Sequence, residues 1–376
     1  MVFDVAIVGA GMAGASLAAA LAPYLRVAIL EAEDMAGYHA TGRSAAFWTE
    51  TYGGPLVQPL TSASGPFLDQ PPADMSSRSF LSPRGALMLA HGTQPGLAHD
   101  FIAAFAGSGV HHALLQGDAL MAQLPGIRRD WAYGVLEPSN ADIDVGGFHQ
   151  ASLAAARRAG AELHVRAPVA ALTRQEGGWL IAAGRERFQA VHVVNAAGAW
   201  ASEVAVLAGA SNIPIQPMRR TIVQLRLGRE IPAGLPLVVD LAGRFYFKPE
   251  GTRRVWLSPH DETPTSPCDA APEEEDIARA IARFEEVVDW PIEAVERSWA
   301  GLRSFSPDRA PVIGEDPQCP GFFWCAGQGG AGIQTAPAIA ALLAAEIRGV
   351  APVAPYDKVD AALYRPGRFL DASPMG

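Results

Sequence analysis

The sequence predicts an α/β fold in which a domain with a parallel sheet is combined with an α+β domain built on an antiparallel sheet. Glycine-rich turns at 9–14, 195–198 and 328–332 each follow an apolar run of strand length, which is typical of strand-to-helix turns beside a parallel sheet. Residues 213–258 instead contain short strand patterns joined by turns, and these predict an antiparallel meander. With 376 residues, the chain is long enough for two domains.

The elements of the parallel sheet can be placed in chain order. Residues 3–8 form an apolar run rich in Val and Ile, and the first glycine turn and an Ala-rich helix follow it. Residues 26–31 supply a second strand. Three strand patterns lie between 162 and 194, a further one covers 321–326, and a helix over 333–347 closes the fold.

The second domain is predicted from the segments that interrupt this pattern. Residues 92–160 indicate helical stretches, and residues 273–289 place apolar side chains on one helical face and charges on the other. The first domain is assigned to residues 1–47, 141–208 and 298–376. The second domain is assigned to residues 48–140 and 209–297.

Composition and charge exclude several classes of protein. The net charge is −10 and no block of Lys or Arg occurs, so neither nucleic acid nor an anionic membrane is an expected partner. The N-terminus resembles no secretory signal, and the apolar stretches 11–22 and 335–347 are too short to cross a bilayer, so no transmembrane segment is expected. Cys268, Cys319 and Cys325 form no metal-ligand spacing with the nine histidines. Such sparse thiols predict a cytoplasmic protein, with peripheral attachment to the inner membrane as an alternative.

The first glycine turn has the pattern of a Rossmann-like dinucleotide site. Gly9 permits a tight turn, Gly11 lets the backbone approach a pyrophosphate, and Gly14 lets the helix pack against its strand. The N-terminus of the following helix offers free N–H groups to phosphates. Glu31, at the end of the second strand, can accept hydrogen bonds from ribose hydroxyls and would repel a 2′-phosphate, which disfavours NADP.

NAD and FAD share this pattern, and three features favour FAD. Only one complete G-x-G-x-x-G is present, so a substrate rather than NAD(P)H is the expected reductant. The loop 42–46 lies just past the second strand, where a longer cofactor would continue. The third turn offers another helix N-terminus, which could face the flavin carbonyls where negative charge accumulates on reduction.

Motifs over almost the whole chain resemble those of the D-amino acid oxidase-like family of FAD enzymes. The matching stretches are VGAGMAGAS, LEAEDMAGYHATGRSAAFWTETYG, ADIDVGGFHQ, VVNAAGAW, QPMRR, FYFKPE, WAGLRSF and GGAGIQT. The first two name only the superfamily, whereas WAGLRSF together with GGAGIQT is more specific. Within the family, the chain is similar to the bacterial D-arginine and D-amino acid dehydrogenases.

The resemblance implies a two-domain flavoprotein whose first domain binds FAD non-covalently and whose second domain binds the substrate. It implies oxidation of the Cα–N bond of an amino acid by hydride transfer to flavin N5. By matching position, Arg220 and Arg303 with Tyr246 would hold the substrate carboxylate. Tyr52 and the backbone at Gly330 would lie near the reacting amine.

The expected cofactor contacts lie on the three glycine turns, at the end of the second strand and in the loop beyond it. Ser44, Ala45, Ala46 and Thr49 match residues that line the flavin, and Val169 matches a backbone contact near the adenine. The remaining expected contacts are Gly9, Gly11, Met12, Ala13, Gly14, Glu31, Ala32, Arg43, Ala196, Gly198, Trp200, Gly329, Gly330, Gly332, Ile333 and Gln334.

The residue types at these positions suit an amino acid substrate. A guanidinium stays charged and binds a carboxylate through two parallel hydrogen bonds, so two arginines could fix the substrate. Without the resemblance, Arg219, Arg220 and Arg303 would be interpreted as surface ion pairs, and the tyrosines as ordinary core or rim aromatics. His39 and His149 match no catalytic role and are expected to be structural.

Three substitutions bear on the substrate. A glutamate that faces a cationic side chain in arginine-oxidising relatives is Ala86 here, an active-site histidine is Phe47, and an aromatic on the third glycine turn is Ala331. A buried cation without a partner is costly, so these changes disfavour D-Arg and D-Lys. The sequence therefore predicts oxidative deamination of D-amino acids with neutral, apolar side chains to 2-oxo acids and ammonia.

Two alternatives stay open at this point. The first is oxidation of secondary or N-methyl amino acids, as in sarcosine or glycine oxidases, although relatives of that kind often tether FAD through a cysteine where this chain has Ser304 and Phe305. The second is a non-catalytic dinucleotide-binding protein. The electron acceptor would be oxygen or a quinone.

Overall fold

The computed structural model describes residues 2–45 and 47–370, which form twenty strands and eight α-helices. The strands are β1 (Val2–Val8), β2 (Val27–Leu30), β3 (Phe47–Trp48), β4 (Leu81–Pro83), β5 (Ala86–His91), β6 (Ala113–Leu115), β7 (Trp131–Glu137), β8 (Ala141–Ile143), β9 (Glu162–His164), β10 (Val169–Gln175), β11 (Gly178–Ala183), β12 (Glu186–Asn195), β13 (Gln216–Leu227), β14 (Leu237–Asp240), β15 (Tyr246–Pro249), β16 (Arg254–Ser258), β17 (Thr263–Pro264), β18 (Ile292–Phe305), β19 (Val312–Glu315) and β20 (Phe322–Ala326). The helices are α1 (Met12–Leu21), α2 (Gln58–Asp69), α3 (Gly96–Ala104), α4 (Gly117–Gln123), α5 (Val145–Arg158), α6 (Ala201–Ala208), α7 (Glu274–Val287) and α8 (Ala336–Ile347).

The first sheet has eight strands in the order β10-β11-β12-β1-β2-β9, with β20 beside β12 and β19 beside β20. The pairs that β1 forms with β12 and β2 are parallel, as are β2 with β9 and β12 with β20. The hairpin β10-β11 and the strand β19 are antiparallel additions at its edges. The predicted parallel core is therefore confirmed, and the sheet as a whole is mixed.

Both faces of this sheet are buried, which explains why β1 is apolar from Val5 to Val8. Val5 and Ile7 pack into one core with residues of α1 and α8, whereas Ala6 and Val8 pack into a second core that includes Trp179 and Val204. Successive side chains of a strand point to opposite faces, so a strand covered on both sides needs an uninterrupted apolar run.

The second sheet has nine strands in the order β17-β13-β16-β15-β14-β5-β7-β6, with β18 also paired to β13. All pairs are antiparallel except β14 with β5, which is parallel. The helix α7 covers one face through Ala280, Phe284 and Val287, as the amphipathic pattern predicts. The strands β13 and β18 pair along nearly their whole lengths, from Gln216 opposite Phe305 to Leu227 opposite Ile292.

Three expectations about the second domain need correction. Residues 92–160 contain the strands β6, β7 and β8 as well as helices, and β6 and β8, with three residues each, are too short to show a period in the sequence. The assigned boundary between residues 297 and 298 falls inside β18, since pairing with β13 keeps that strand continuous. The helix α2, in a segment assigned to the second domain, packs in the core of the first sheet through Leu60 and Ala63. The division into two domains itself stays a prediction.

A small third sheet, in the order β3-β8-β4, contains the strand that begins at Phe47. None of the helices in the described ranges combines the length and the apolar character that crossing a lipid bilayer requires.

Candidate active site

One cavity of about 470 Å³ lies at the carboxyl ends of β1, β2 and β12, beside the three glycine turns. This is the edge of an open α/β sheet where ligands ordinarily bind. Most of the predicted cofactor contacts line it. They are Gly9, Gly11, Met12, Ala13, Glu31, Ala32, Arg43, Ser44, Val169, Ala196, Gly198, Trp200, Gly329, Gly330, Gly332 and Ile333.

Four predicted contacts within the described residues do not line this cavity. Ala45 and Gln334 line a smaller cavity beside it, and the buried Thr49 donates its N–H to Gln334 Oε1 at 3.2 Å. Gly14 lies behind the first turn, where a Cβ atom would be 2.0 Å from the carbonyl oxygen of Gly9. Ala46 falls outside the described residues.

The first glycine turn has the geometry that a pyrophosphate requires. Gly9 has φ +103°, and a Cβ atom there would lie 2.5 Å from the carbonyl oxygen of Ala196, so only glycine fits. The N-terminus of α1 follows directly and points its backbone N–H groups and its positive dipole end toward the cavity. The backbone N–H of Met12 donates to Thr41 Oγ1 at 2.9 Å, a contact that the sequence did not reveal.

Glu31 is buried at the end of β2, with 8% of its surface exposed. Its Oε2 accepts the N–H of Ala10 at 2.8 Å and its Oε1 accepts the N–H of Glu33 at 3.0 Å. A carboxylate offers about four lone-pair sites, so both oxygens can still accept hydrogen bonds from ribose hydroxyls. Together with the glycine cradle, this makes the residues present a good fit for FAD.

Several residues of the large cavity were not predicted from the sequence. His39, expected to be structural, lines the cavity, where its Nε2 lies 2.8 Å from Glu33 Oε1 and its ring contacts that of Trp200 in a tilted arrangement with centroids 4.6 Å apart. Residues 268 and 270 also line the cavity, because Arg43 donates to the carbonyl oxygen of Ala270 at 2.9 Å. These contacts join distant parts of the chain and have no local sequence signal.

The smaller cavity measures about 20 Å³ and contains all five predicted catalytic residues. Its walls are Ser44, Ala45, Phe47, Tyr52, Arg220, Tyr246, Arg303, Gly330, Ile333 and Gln334. Ser44, Arg303, Gly330 and Ile333 also line the large cavity, so the two spaces adjoin. A molecule in the small cavity would therefore lie beside the cofactor.

The pairing of β13 with β18 places two arginines together. Arg220 is opposite Gly301, and Arg303 lies two residues beyond Gly301, so both arginines project from the same face of the sheet. Glycine at 301 leaves room for them, since a Cβ atom there would be 3.3 Å from Arg303 NH1. Arg219 points to the opposite face, where it pairs with Glu273 and, at 2.9 Å, with Asp276.

The two inward arginines have different electrostatic surroundings. Burial alone would lower the pKa of Arg220, but Tyr52, Tyr246 and Glu262 together raise it. For Arg303 burial dominates and lowers the pKa; Tyr246 opposes this, and the charge of Arg220 adds to it. No carboxylate in the described ranges lies within 4.0 Å of Arg303. A buried guanidinium without a counter-ion is a site that favours an anion.

Aromatic rings form the remaining wall. The ring of Phe47 lies 5.4 Å from that of Tyr52 and 5.7 Å from that of Tyr246, both edge to face. Burial raises the pKa of Tyr246, so its hydroxyl keeps its proton at neutral pH. A Cβ atom at Gly330 would lie 2.3 Å from the Tyr52 hydroxyl, so this close approach requires glycine.

The loop that carries Tyr52 is held by buried side chains that the sequence analysis missed. Glu137, which is fully buried, accepts the N–H of Glu50 at 2.8 Å and the hydroxyl of Thr51. Gln334 Nε2 donates to the carbonyl oxygen of Tyr52 at 3.2 Å. Each contact satisfies a buried polar group of the loop, so the position of Tyr52 depends on them.

The three residues expected to shape the substrate pocket are placed differently from one another. Phe47 lines the small cavity, as predicted. Ala86 is fully buried in a hydrophobic cluster with Ala45 and Tyr246, behind the wall rather than on it. Ala331 is also buried and lines neither cavity, because its N–H turns back to the carbonyl oxygen of Gln328. Any effect of Ala86 and Ala331 on substrate choice would therefore act through the residues that line the cavity.

We expect the Glu137→Ala substitution to lower the free energy of unfolding by about 2–4 kcal/mol, because it leaves two buried donors of the Tyr52 loop without an acceptor. Urea denaturation followed by circular dichroism would measure this. The control is Glu176→Ala in the exposed turn between β10 and β11, which should change stability by less than about 0.5 kcal/mol. Equal effects of the two substitutions would contradict the anchoring role.

Comparisons with known proteins identify the family to which the chain belongs. The family described as FAD dependent oxidoreductase, DAO, matches residues 4–346. Human mitochondrial dimethylglycine dehydrogenase is 34% identical over 121 residues, which are 31% of this chain and 14% of that protein. Hydrogen cyanide synthase subunit HcnC of Pseudomonas aeruginosa is 28% identical over 217 residues, 56% of this chain and 50% of that protein. The chain thus spans well under two thirds of the length of these curated relatives.

Solved structures share the fold over nearly the whole chain. Glycine oxidase from Geobacillus kaustophilus superposes with a TM-score of 0.82 at 24% identity, covering 94% of this chain and 97% of that one. L-proline dehydrogenase from P. horikoshii superposes with a TM-score of 0.84 at 20% identity, with 98% of each chain covered. L-alpha-glycerophosphate oxidase from Mycoplasma pneumoniae, solved with FAD bound, gives 0.83 at 17% identity, covering 93% and 95%.

The comparisons establish the family but not the narrower resemblance to D-arginine dehydrogenases, which stays a prediction. The α/β fold and the FAD cofactor predicted from the sequence are confirmed. The chain belongs to the DAO family of FAD-dependent oxidoreductases.

Proposed function

We propose that the protein oxidises the Cα–N bond of D-amino acids with neutral, apolar side chains and so releases a 2-oxo acid and ammonia. The observation that carries this proposal is the buried guanidinium of Arg303, which has no carboxylate within 4.0 Å in the described ranges and lines both cavities. A substrate carboxylate would supply the missing anion at the place where the substrate must lie beside the cofactor.

Different residues of the small cavity would bind different groups of the substrate. Arg303 and Arg220 would hold the carboxylate, and the protonated hydroxyl of Tyr246 would donate a further hydrogen bond to it. Tyr52, held by its loop, would face the amine. Bound FAD supplies a hydride acceptor at N5. Fixing Cα in one position beside that acceptor is the main contribution that the protein makes to such chemistry.

The preference for neutral side chains is inferred from the cavity walls. No Asp or Glu occurs among the residues that line the small cavity, and Phe47 and Ile333 supply apolar surface. A cationic side chain would therefore lose its hydration without gaining a partner. The D configuration and the choice between oxygen and a quinone as electron acceptor are proposed from the family resemblance.

A second candidate is the oxidation of glycine or of small secondary and N-methyl amines. The small open volume of about 20 Å³ favours it, because a narrow cavity suits a small substrate. Glycine oxidase, iminodiacetate oxidase and dimethylglycine dehydrogenase are among the similar proteins. In this case Phe47 and Tyr52 would restrict the substrate by size.

Anaerobic mixing of the holoenzyme with a panel of amino acids tests the proposal. We expect D-Leu, D-Met and D-Phe to bleach the flavin absorbance faster than D-Arg and D-Lys, because the cavity offers no anion to a cationic side chain. We expect slower bleaching by the L-enantiomers from the family resemblance. Faster bleaching by glycine or sarcosine would favour the second candidate. Bleaching by none of them would refute amino acid oxidation. Admitting air afterwards separates an oxidase from a dehydrogenase by the rate at which the colour returns.

Replacing Arg303 should affect catalysis and thermal stability in different ways. Arg303→Met should lower kcat/KM at least about 100-fold, because the substrate carboxylate loses its principal charged partner. The melting temperature should stay the same or rise, since the substitution removes a buried charge that has no counter-ion. Steady-state kinetics and thermal melting measure the two effects. The control is Arg226→Met on the same side of the β13–β18 pair, whose side chain is 43% exposed and which should keep its activity.

The pH dependence should reflect the substrate amine. Hydride loss from Cα requires the neutral amine, so kcat/KM should rise from pH 6 toward pH 10. Tyr246 does not cause this rise: its pKa is raised above the usual value, so its hydroxyl stays protonated through most of that interval. The Tyr246→Phe variant should therefore show a lower kcat/KM but the same rising profile. A flat profile in the unmodified enzyme would contradict the proposed requirement for a neutral amine.

A further inference from the structure

The two arginines of the small cavity differ in how many of their donors are already occupied. Arg220 donates from Nε to the carbonyl oxygen of Asp261 and from NH2 to Glu262 Oε1, both at 2.9 Å. Within residues 2–45 and 47–370, the hydrogen bonds of Arg303 are long ones to carbonyl oxygens, at 3.4 Å to its neighbour Leu302 and 3.5 Å to Arg43. One guanidinium is thus fixed and partly neutralised, whereas the other keeps its charge available.

Glu262 connects Arg220 to the surface. Its Oε1 accepts from Arg220 NH2 at 2.9 Å and also from Arg309 NH2 at 2.7 Å. Its side chain is 30% exposed and that of Arg309 is 52% exposed, and neither residue lines the small cavity. Arg309 lies over the ring of Phe305, with its guanidinium carbon 3.9 Å from the ring centroid. The three charged groups form a row that runs from solvent to the buried Arg220.

The carboxylate of the neighbouring Asp261 does not contact Arg220. It accepts the N–H of Thr221 at 2.7 Å and the hydroxyl of Thr221 at 2.9 Å, so it is turned toward the backbone of β13. Only the carbonyl oxygen of Asp261 contacts Arg220. Glu262 is therefore the carboxylate in direct contact with the arginine pair.

We propose that Glu262 sets the affinity of the site for carboxylates, because it orients Arg220 and cancels part of its charge, which leaves Arg303 as the principal anion-binding group. This inference rests on the proposed function, since it assumes that the small cavity binds the substrate carboxylate. Removing the charge of Glu262 while keeping its hydrogen-bond acceptor should strengthen carboxylate binding. A substitution that merely damaged the site would weaken carboxylate binding. The direction of the change in affinity therefore distinguishes the two explanations.

The experiment measures the dissociation constants of acetate and benzoate from the oxidised holoenzyme by the change in flavin absorbance. The Glu262→Gln variant should lower both constants roughly tenfold, as expected for removing one charge at this range from a partly buried site. The Arg309→Gln variant should raise them by about threefold, because the charge of Glu262 then loses its outer partner. Glu176→Gln, which removes the same charge from an exposed turn, should leave them unchanged.

The uncharged amides acetamide and benzamide are the second control. Their binding should not respond to Glu262→Gln, since only the charge of the ligand couples to Glu262. Equal or weaker acetate and benzoate binding by a flavin-loaded Glu262→Gln variant would overturn the inference and leave the proposed function standing. If that variant does not retain flavin, Arg309→Gln decides: unchanged or tighter binding there overturns the inference. An unmodified enzyme that binds neither carboxylate would overturn the proposed function as well.

Discussion

The site depends on the burial of two guanidinium groups side by side on one face of the β13–β18 pair. Placing two like charges in a low-dielectric environment is costly unless something offsets it. The two tyrosines stabilise both charges, but of the pair only Arg220 has a carboxylate in direct contact within the described residues, so the cost is offset less completely at Arg303. The incomplete compensation is what makes the small cavity receptive to an anion.

The remaining architecture brings this pair to the cofactor. The glycine turns of the first sheet and the long strands of the second meet where Ser44, Arg303, Gly330 and Ile333 line both cavities. Tyr52 is brought there by a loop whose polar groups form hydrogen bonds with Glu137 and Gln334. Neither sheet contains the site by itself.

The sequence predicted the parts of the site whose signals are local. Gly9, Gly11 and Gly14 follow an apolar strand and begin a helix, so their roles can be inferred from a few residues, and Glu31 follows from the end of the next strand. Arg220 and Arg303 are far apart in the chain, and only the family resemblance singled them out. The alternation of a strand would have added that Arg219 and Arg220 face opposite sides, because adjacent residues cannot both point inward.

Other features were beyond sequence reasoning because they depend on the tertiary fold. Glu137 and Glu262 have no distinguishing context in the sequence, and their partners lie in other elements. The strands β6 and β8 have three residues each, too few for a periodic pattern to emerge. Ala86 was predicted from the resemblance to be on the pocket wall, but β5 places it one layer behind.

The two sides of the small cavity have unequal freedom to vary. On one side Gly330 leaves no room for a side chain, because a Cβ atom there would lie 2.3 Å from the Tyr52 hydroxyl. On the other side Phe47 and Ile333 are half-buried and present only apolar surface. Descendants of this chain could therefore acquire new specificities through changes at Phe47 and Ile333, while the glycine side remains constrained by selection.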